Sequence, residues 1–138
     1  MQMARGPDEA RALKPLLAYH YAGGLPVFST SHASQPGAPA AANADLNGMT
    51  ILEMPWLVEA NDLRTQLAQA GEADYSRMQA LGADAFLLQA RFPQLRGGPE
   101  LALRGQTGLL TLDPQLRITR TLSPAVFDRG AIKPASLY

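Results

Sequence analysis

The change of hydrophobic period along the chain is the feature that most limits its fold. Before the glycine-rich break at 97–99, apolar residues recur every three or four positions, which is the spacing of one helix face. After the break, large apolar residues alternate with smaller or polar ones at 101–103 and again in the stretch 116–122, the period of a strand with one buried face. Short apolar runs at 25–30 and 49–54 interrupt the helical part and predict strands. The order predicts an α/β fold, with helix and strand units first and β-hairpins at the end.

Local signals place the helices of the first two thirds. The first predicted helix begins at Pro7, because proline tolerates the first helical position and two acidic residues follow it. We expect Pro15 to kink or divide that helix, since proline lacks the N–H that the helix ladder needs. The glycines at 23–24 are expected to end it, because glycine accepts a positive φ. Further helical faces follow at 60–70 and 75–88.

Loops and turns separate these elements. Residues 33–44 lack both periodicity and large side chains, so we predict an exposed, mobile loop there. Asp-Pro-Gln at 113–115 and Asp-Arg-Gly at 128–130 mark turns, since aspartate, proline and glycine favour turn positions. Three apolar residues of the strand after the first turn alternate with polar ones and are expected on its buried face: Leu116, Ile118 and Leu122.

Composition limits the size and the chemistry of the protein. With 138 residues and 46% hydrophobic content, the chain has material for one domain, which we place at 1–138. Twelve basic and twelve acidic residues give zero net charge, without the basic excess typical of nucleic-acid binding. No apolar run reaches the length of a membrane span. The absence of cysteine excludes disulfides, thiol catalysis, zinc–thiolate sites and lipid attachment through cysteine within this chain.

The sequence contains no recognisable catalytic or metal-binding set. His20 and His32 lie too far apart for a local metal motif, and no nucleophile with an orienting carboxylate accompanies His32. Gly105 and Gly108 precede strands rather than a helix and lack a lysine, so they do not form a phosphate loop. We therefore predict no catalytic residues, no metal site, no cofactor and no enzymatic activity.

Candidate binding residues follow the two predicted strands of the first half. Ser29, Thr30 and Ser31 come directly after an apolar run, and ligands of open α/β sheets bind beyond the carboxyl ends of strands. Either these hydroxyls line a cleft for a ligand or partner, or they bond their own backbone in a turn. Glu53 and Trp56 stand at the end of the second run, where a carboxylate and an indole suit a cationic or sugar-like ligand. In the alternative interpretation, Trp56 fills the core and Glu53 contacts the next helix N-terminus.

Four groups of residues match the motifs of one protein family in order and spacing. The groups are listed here with the family's own pattern in parentheses: His20–His32 (YYAGDLPVYATSH), Asp45–Gly48 with Glu53–Leu57 (DLDGV with CDMPWLL), Leu81–Phe86 (ALGVDAY) and Gly105–Asp113 (GLTGRLSLD). On these residues the chain resembles the LppC-type outer-membrane lipoproteins, the penicillin-binding-protein activators. It departs from the pattern at Leu52-Glu53, where the family often has Cys-Asp, and at Gly24, where the family has Asp.

The resemblance implies a fold and a function. The fold would be the C-terminal portion of a type 1 periplasmic-binding-protein-like, Rossmann-like module, so that the chain is a fragment of a two-lobed module with a cleft between its lobes. The function would be that of a non-catalytic periplasmic lipoprotein, anchored in the outer membrane by a lipid that this chain lacks. Such a protein binds and activates a class A penicillin-binding protein, and so regulates peptidoglycan synthesis, the cell wall and cell shape. The alternative is a small-molecule binding module of the leucine-binding-protein type, which takes an amino acid or a cell-wall fragment.

Overall fold

The computed structural model of the protein describes residues 6–71, 76–98 and 100–136. The elements, in chain order, are α1 (Pro7–Tyr19), β1 (Phe28–Ser29), two 3-10 segments (Ser31–Ala33 and Ala40–Leu46), β2 (Thr50–Glu53), α2 (Pro55–Val58), α3 (Asp62–Gln69), α4 (Ser76–Leu95), β3 (Ala102–Arg104), β4 (Leu109–Leu112), β5 (Ile118–Thr121), β6 (Ser123–Asp128) and β7 (Ala131–Pro134). None of the helices in these ranges is long and apolar enough to cross a membrane.

The described residues form two compact units. The first unit contains the residues up to Glu53 together with those from Pro124 onwards, and the second contains those from Met54 to Ser123. The expectation that the whole chain belongs to one domain of a larger two-lobed module stays a prediction.

A four-stranded sheet in the order β1-β2-β6-β7 organises the first unit. β1 runs parallel to β2, with Phe28 opposite Thr50 and Ser29 opposite Ile51, whereas β6 and β7 form an antiparallel hairpin. On β6, Ala125 and Phe127 are buried and alternate with less buried neighbours, as the period of a strand requires. The sheet therefore combines a parallel pair with a hairpin, which confirms the predicted α/β class.

Helix α1 begins at Pro7, as predicted, but its end differs from the prediction. Pro15 lies inside one continuous helix and does not divide it, while a kink at Pro15 stays a prediction. The side chain of Pro15 is exposed, so its ring displaces no packed neighbour, and the loss of one ladder hydrogen bond is tolerated. The helix ends at Tyr19 rather than at residues 23–24, and it is Tyr21 that has a positive φ, of 57°.

The segment at 33–44 is more ordered than a plain exposed loop. It overlaps both 3-10 segments, and α1 packs against each of them. Ala33, Ser34 and Asn43 are buried, and the Asn43 side-chain amide donates a hydrogen bond to the carbonyl of Gly130 at 3.3 Å. The prediction of an exposed segment was therefore wrong for these residues, because small side chains suit close packing as well as loops. The mobility of the segment stays a prediction.

In the second unit, α4 covers an antiparallel sheet in the order β3-β4-β5. The sheet and the end of α4 share a buried cluster of leucines, and three partly buried side chains of α4 pack against it. The cluster consists of Leu95, Leu103, Leu110 and Leu112, and the packed side chains are Leu87, Leu88 and Phe92. As the pattern predicts, α4 ends before the glycines at 97–98. Asn61 caps α3, since its Oδ1 accepts a hydrogen bond from the Arg64 N–H at 2.9 Å.

The turn between β4 and β5 confirms the predicted hairpin but removes one residue from the predicted buried face. Asp113 accepts hydrogen bonds from the backbone N–H groups of Arg117 and Gln115. The backbone hydrogen bond from Arg117 is the main cause that lowers the pKa of Asp113 below its usual value. This tight turn places Leu116 at φ 61°, where its side chain is 64% exposed. Ile118 is 38% exposed, so the predicted face is not fully buried.

Candidate functional site

Two parallel strands of the first unit end at the same edge of their sheet. β1 ends at Ser29 and β2 ends at Glu53, and parallel pairing brings their carboxyl ends together. The first 3-10 segment, which begins at Ser31, follows β1 and packs against β2. The predicted hydroxyls and Glu53 therefore lie at one strand-end cluster, the position where open α/β sheets bind ligands.

Hydrogen bonds within the turn occupy part of this cluster. The Thr30 hydroxyl accepts a hydrogen bond from the His32 N–H at 3.4 Å and lies 3.2 Å from His32 Nδ1. For Thr30, the interpretation as a turn-bonding hydroxyl is thus the one that the geometry favours. Ser29, Thr30 and Ser31 are all half-buried.

Glu53 is completely buried and hydrogen-bonded inside the first unit. Its Oε2 accepts a hydrogen bond from Ser34 Oγ at 2.9 Å, and Ser34 is itself buried. A buried carboxylate requires such donors, because burial without them costs several kcal/mol. The role of Ser34 as a buried donor was not predicted from the sequence, because the residue lies inside the predicted loop. Its position a few residues after the first strand was the only feature that could have indicated this role.

Trp56 belongs to the second unit. It lies in the short helix α2 and is completely buried. Its backbone N–H donates to the carbonyl of Gln106 at 3.0 Å, and Arg64 donates to its carbonyl at 3.1 Å. The indole Nε1 is buried and has no hydrogen-bond partner among the described residues. The geometry favours the interpretation of Trp56 as a core residue.

Asp84 forms a second buried carboxylate site that sequence reasoning missed. The side chain, on α4, is 2% exposed. Its Oδ1 accepts a hydrogen bond from the Gln106 N–H at 2.6 Å, and its Oδ2 accepts from the N–H and the hydroxyl of Thr107 at 2.8 and 2.5 Å. A Cβ on Gly105 would lie 2.6 Å from Asp84 Oδ2. Gly105 is therefore structural, as predicted, because only glycine lets the turn approach the carboxylate so closely.

The two motifs that meet at this contact could have signalled it. Asp84 lies in the segment 81–86 and Thr107 in the segment 105–113, both of which carry the family resemblance. The described residues contain no group of three or more histidine, aspartate or glutamate side chains suited to hold a metal.

The parallel pair, the terminal hairpins and the strand-end cluster define an α/β protein of the type 1 periplasmic-binding-protein-like class. A protein described as a branched-chain amino acid ABC transporter from Chromobacterium violaceum is 27% identical and superposes with a TM-score of 0.64, over 88% of this chain and 39% of that chain.

Within that class, the chain belongs to the family described as "LppC putative lipoprotein", which matches residues 2–130. The penicillin-binding protein activator LpoA of Klebsiella pneumoniae is 33% identical over 135 residues, which cover 94% of this chain and 19% of that protein. The C-domain of Haemophilus influenzae LpoA, described as a regulator of PBP1A, is 29% identical with a TM-score of 0.77, over 95% of this chain and 42% of that chain. The chain thus spans about a fifth of the length of the curated relatives that it matches.

Proposed function

We propose that this chain is a non-catalytic part of a lipoprotein that binds and activates a class A penicillin-binding protein. The observation that carries the proposal is the similarity to relatives named penicillin-binding protein activators, which extends over 94% of the chain. The structural likeness to a C-domain described as a regulator of PBP1A supports it. By stimulating the synthase, the protein would regulate peptidoglycan synthesis.

The buried carboxylates of the chain support a role without catalysis. Glu53 accepts a hydrogen bond from Ser34, and Asp84 accepts three hydrogen bonds from Gln106 and Thr107. Asp84 thereby fixes the backbone at 106–107, and Glu53 fixes the side chain of Ser34. Activation then works through protein contact: binding shifts the synthase towards its active conformation by as much as the affinities for its two states differ.

The proposal places the protein in the periplasm, attached to the outer membrane by a lipid. The family description as a lipoprotein supports this location. Since this chain has no cysteine, the lipid-bearing residue would belong to a part of the full-length protein outside these 138 residues.

Addition of the chain to a class A penicillin-binding protein is expected to accelerate glycan polymerisation and peptide crosslinking in a saturable way. The rates would be measured with lipid-linked substrate at rising concentrations of the chain. The Asp84→Ala variant, in which the second unit is destabilised, is the negative control and is expected to accelerate synthesis less than the wild-type chain. Unchanged rates at saturating, folded wild-type chain would contradict the proposal.

A second candidate is a small-molecule module, and the strand-end cluster is the observation that favours it. Ser29, Thr30 and Ser31 are the predicted contacts within reach of solvent, while Glu53 and Trp56 are completely buried. If leucine, isoleucine or valine binds only the folded state, a concentration of a hundred times its Kd stabilises the protein by about 2.7 kcal/mol.

A thermal unfolding scan with each of these amino acids checks the second candidate, with lysine as the control ligand. We expect the midpoint to rise with one of the three and the rise to shrink in the Ser31→Ala variant. If the unfolding midpoint stayed unchanged with leucine, isoleucine and valine, the second candidate would be contradicted. The hydroxyls of residues 29–31 would then only bond the backbone of their turn.

A further inference from the structure

A groove in the second unit lies between helix α4 and strand β5. Its volume is about 360 Å³. The walls are apolar on both sides and carry one cation, and they are formed by Leu81, Ala85 and Leu88 of α4 and by Leu110, Ile118 and Arg120 of the sheet. Leu81 is 52% exposed and Ile118 is 38% exposed, so solvent reaches the groove.

Strand register explains why this groove is left open. Leu112 pairs with Ile118 and Leu110 pairs with Arg120, so the two β5 side chains share the sheet face that α4 covers. The buried leucine cluster between α4 and the sheet extends only as far as β4. It does not include β5, because β5 is the edge strand and all four of its residues are exposed. The apolar layer of the unit therefore continues to this edge, where the side chains of β5 are exposed.

Arg120 gives the groove its charge. The neighbouring guanidinium groups of the sheet are both paired, Arg104 with Glu59 at 2.7 Å and Arg117 with Asp113 at 2.7 Å. Arg120 has no ion pair among the described residues. Asp84 also lines the groove, but its side chain is 2% exposed and accepts hydrogen bonds from Gln106 and Thr107. Arg120 is the exposed charge of the lining, so an anion that approaches from solvent would meet its guanidinium group first.

We propose that the groove binds an extended segment of a partner protein that adds a strand alongside β5. Among the described strands, none pairs with the outer side of β5, so its backbone groups there are open to an added strand. Side chains two residues apart on that strand face the same way, so the fitting pattern is apolar-x-acidic-x-apolar, with the acidic group opposite Arg120. The inference deepens the proposed function, on which it rests, by giving the synthase a contact surface on the second unit.

Two synthetic peptides test the groove without the synthase. Acetylated Leu-Thr-Glu-Thr-Leu amide carries the fitting pattern, and its twin has lysine in place of glutamate. We expect the acidic peptide to bind the wild-type chain at least about tenfold more tightly than the basic twin, and this preference to disappear in Arg120→Glu. Equal binding of both peptides, or of neither, would overturn the proposal. So would self-association of the Arg120→Ala variant without peptide binding, since Arg120 would then only protect an edge strand.

Binding to the synthase is the second test of the groove. Binding of the periplasmic region of a class A penicillin-binding protein is compared among the wild-type chain, Arg120→Glu, Arg120→Lys and Arg96→Glu, with hydrogen exchange to establish that each is folded. Arg96→Glu is the matched control, since it makes the same charge change in the same unit outside the groove. We expect Arg120→Glu alone to weaken binding by at least about tenfold.

The two proposals fail in distinguishable ways. Equal binding of the wild-type chain and Arg120→Glu to the synthase would overturn the groove and leave the proposed function standing. Absence of synthase binding by the wild-type chain would overturn the proposed function, and the peptides would still decide whether the groove accepts an acidic strand.

Discussion

Replacement of Asp84 by alanine is expected to lower the free energy of unfolding of the second unit by about 3–5 kcal/mol. The carboxylate accepts three hydrogen bonds from two consecutive residues of the turn, Gln106 and Thr107. Since Asp84 is 2% exposed, its removal leaves these donors in a site that water reaches poorly. The same change removes the contact that fixes the turn before β4 against α4.

Native-state hydrogen exchange of amides in α4 and β4 measures this loss. The matched control is Thr107→Val, which removes one of the three donors and keeps the volume of the side chain. We expect that variant to lose about 1–2 kcal/mol. If Asp84→Ala stayed within about 0.5 kcal/mol of the wild type, the carboxylate would not organise the unit.

Replacement of Gly130 by alanine is expected to destabilise the first unit by about 3 kcal/mol. Gly130 has φ +78°, a conformation that costs other residues about 1–2 kcal/mol. A Cβ at this position would also overlap the carbonyl of Ala40, so the backbone must shift and core packing is lost. That shift would disturb the hydrogen bond that Gly130 accepts from Asn43.

Gly37 provides the control for this second prediction. Its φ is +77°, almost the same as that of Gly130, but a Cβ there would meet no atom within 4 Å. Gly37→Ala therefore isolates the cost of the backbone conformation, about 1–2 kcal/mol. Chemical denaturation of both variants separates the cost of the backbone conformation from the cost of the steric overlap with Ala40. Equal losses of unfolding free energy in the two variants would show that the contact with Ala40 does not matter.

Local signals in the sequence were sufficient for several elements. Asp113 next to proline predicted the β4–β5 turn, and the side chain does accept the backbone hydrogen bonds that close it. The helical face at 60–70 predicted α3, and Asn61, a residue type that favours helix N-caps, caps that helix. These features depend on residues within four positions of one another, so the sequence contains all of the information that they need.

Features that join distant segments could not be derived from local pattern. Ser34 and Glu53 are 19 residues apart, and Asp84 and Thr107 are 23 apart. Neither hydrogen bond produces a periodic pattern in the sequence, because burial of a polar side chain depends on the tertiary fold that supplies its partner. Leu116 was misplaced for a related reason, since the turn geometry, and not the alternation, sets its direction.

Equilibrium binding of the folded 138-residue chain to the periplasmic region of a class A penicillin-binding protein tests the central claim most directly. Titration calorimetry would be run after hydrogen exchange has established that both units are folded. We expect saturable binding without any added small molecule. An absence of binding by the folded chain would contradict the claim that these residues contain the activator surface.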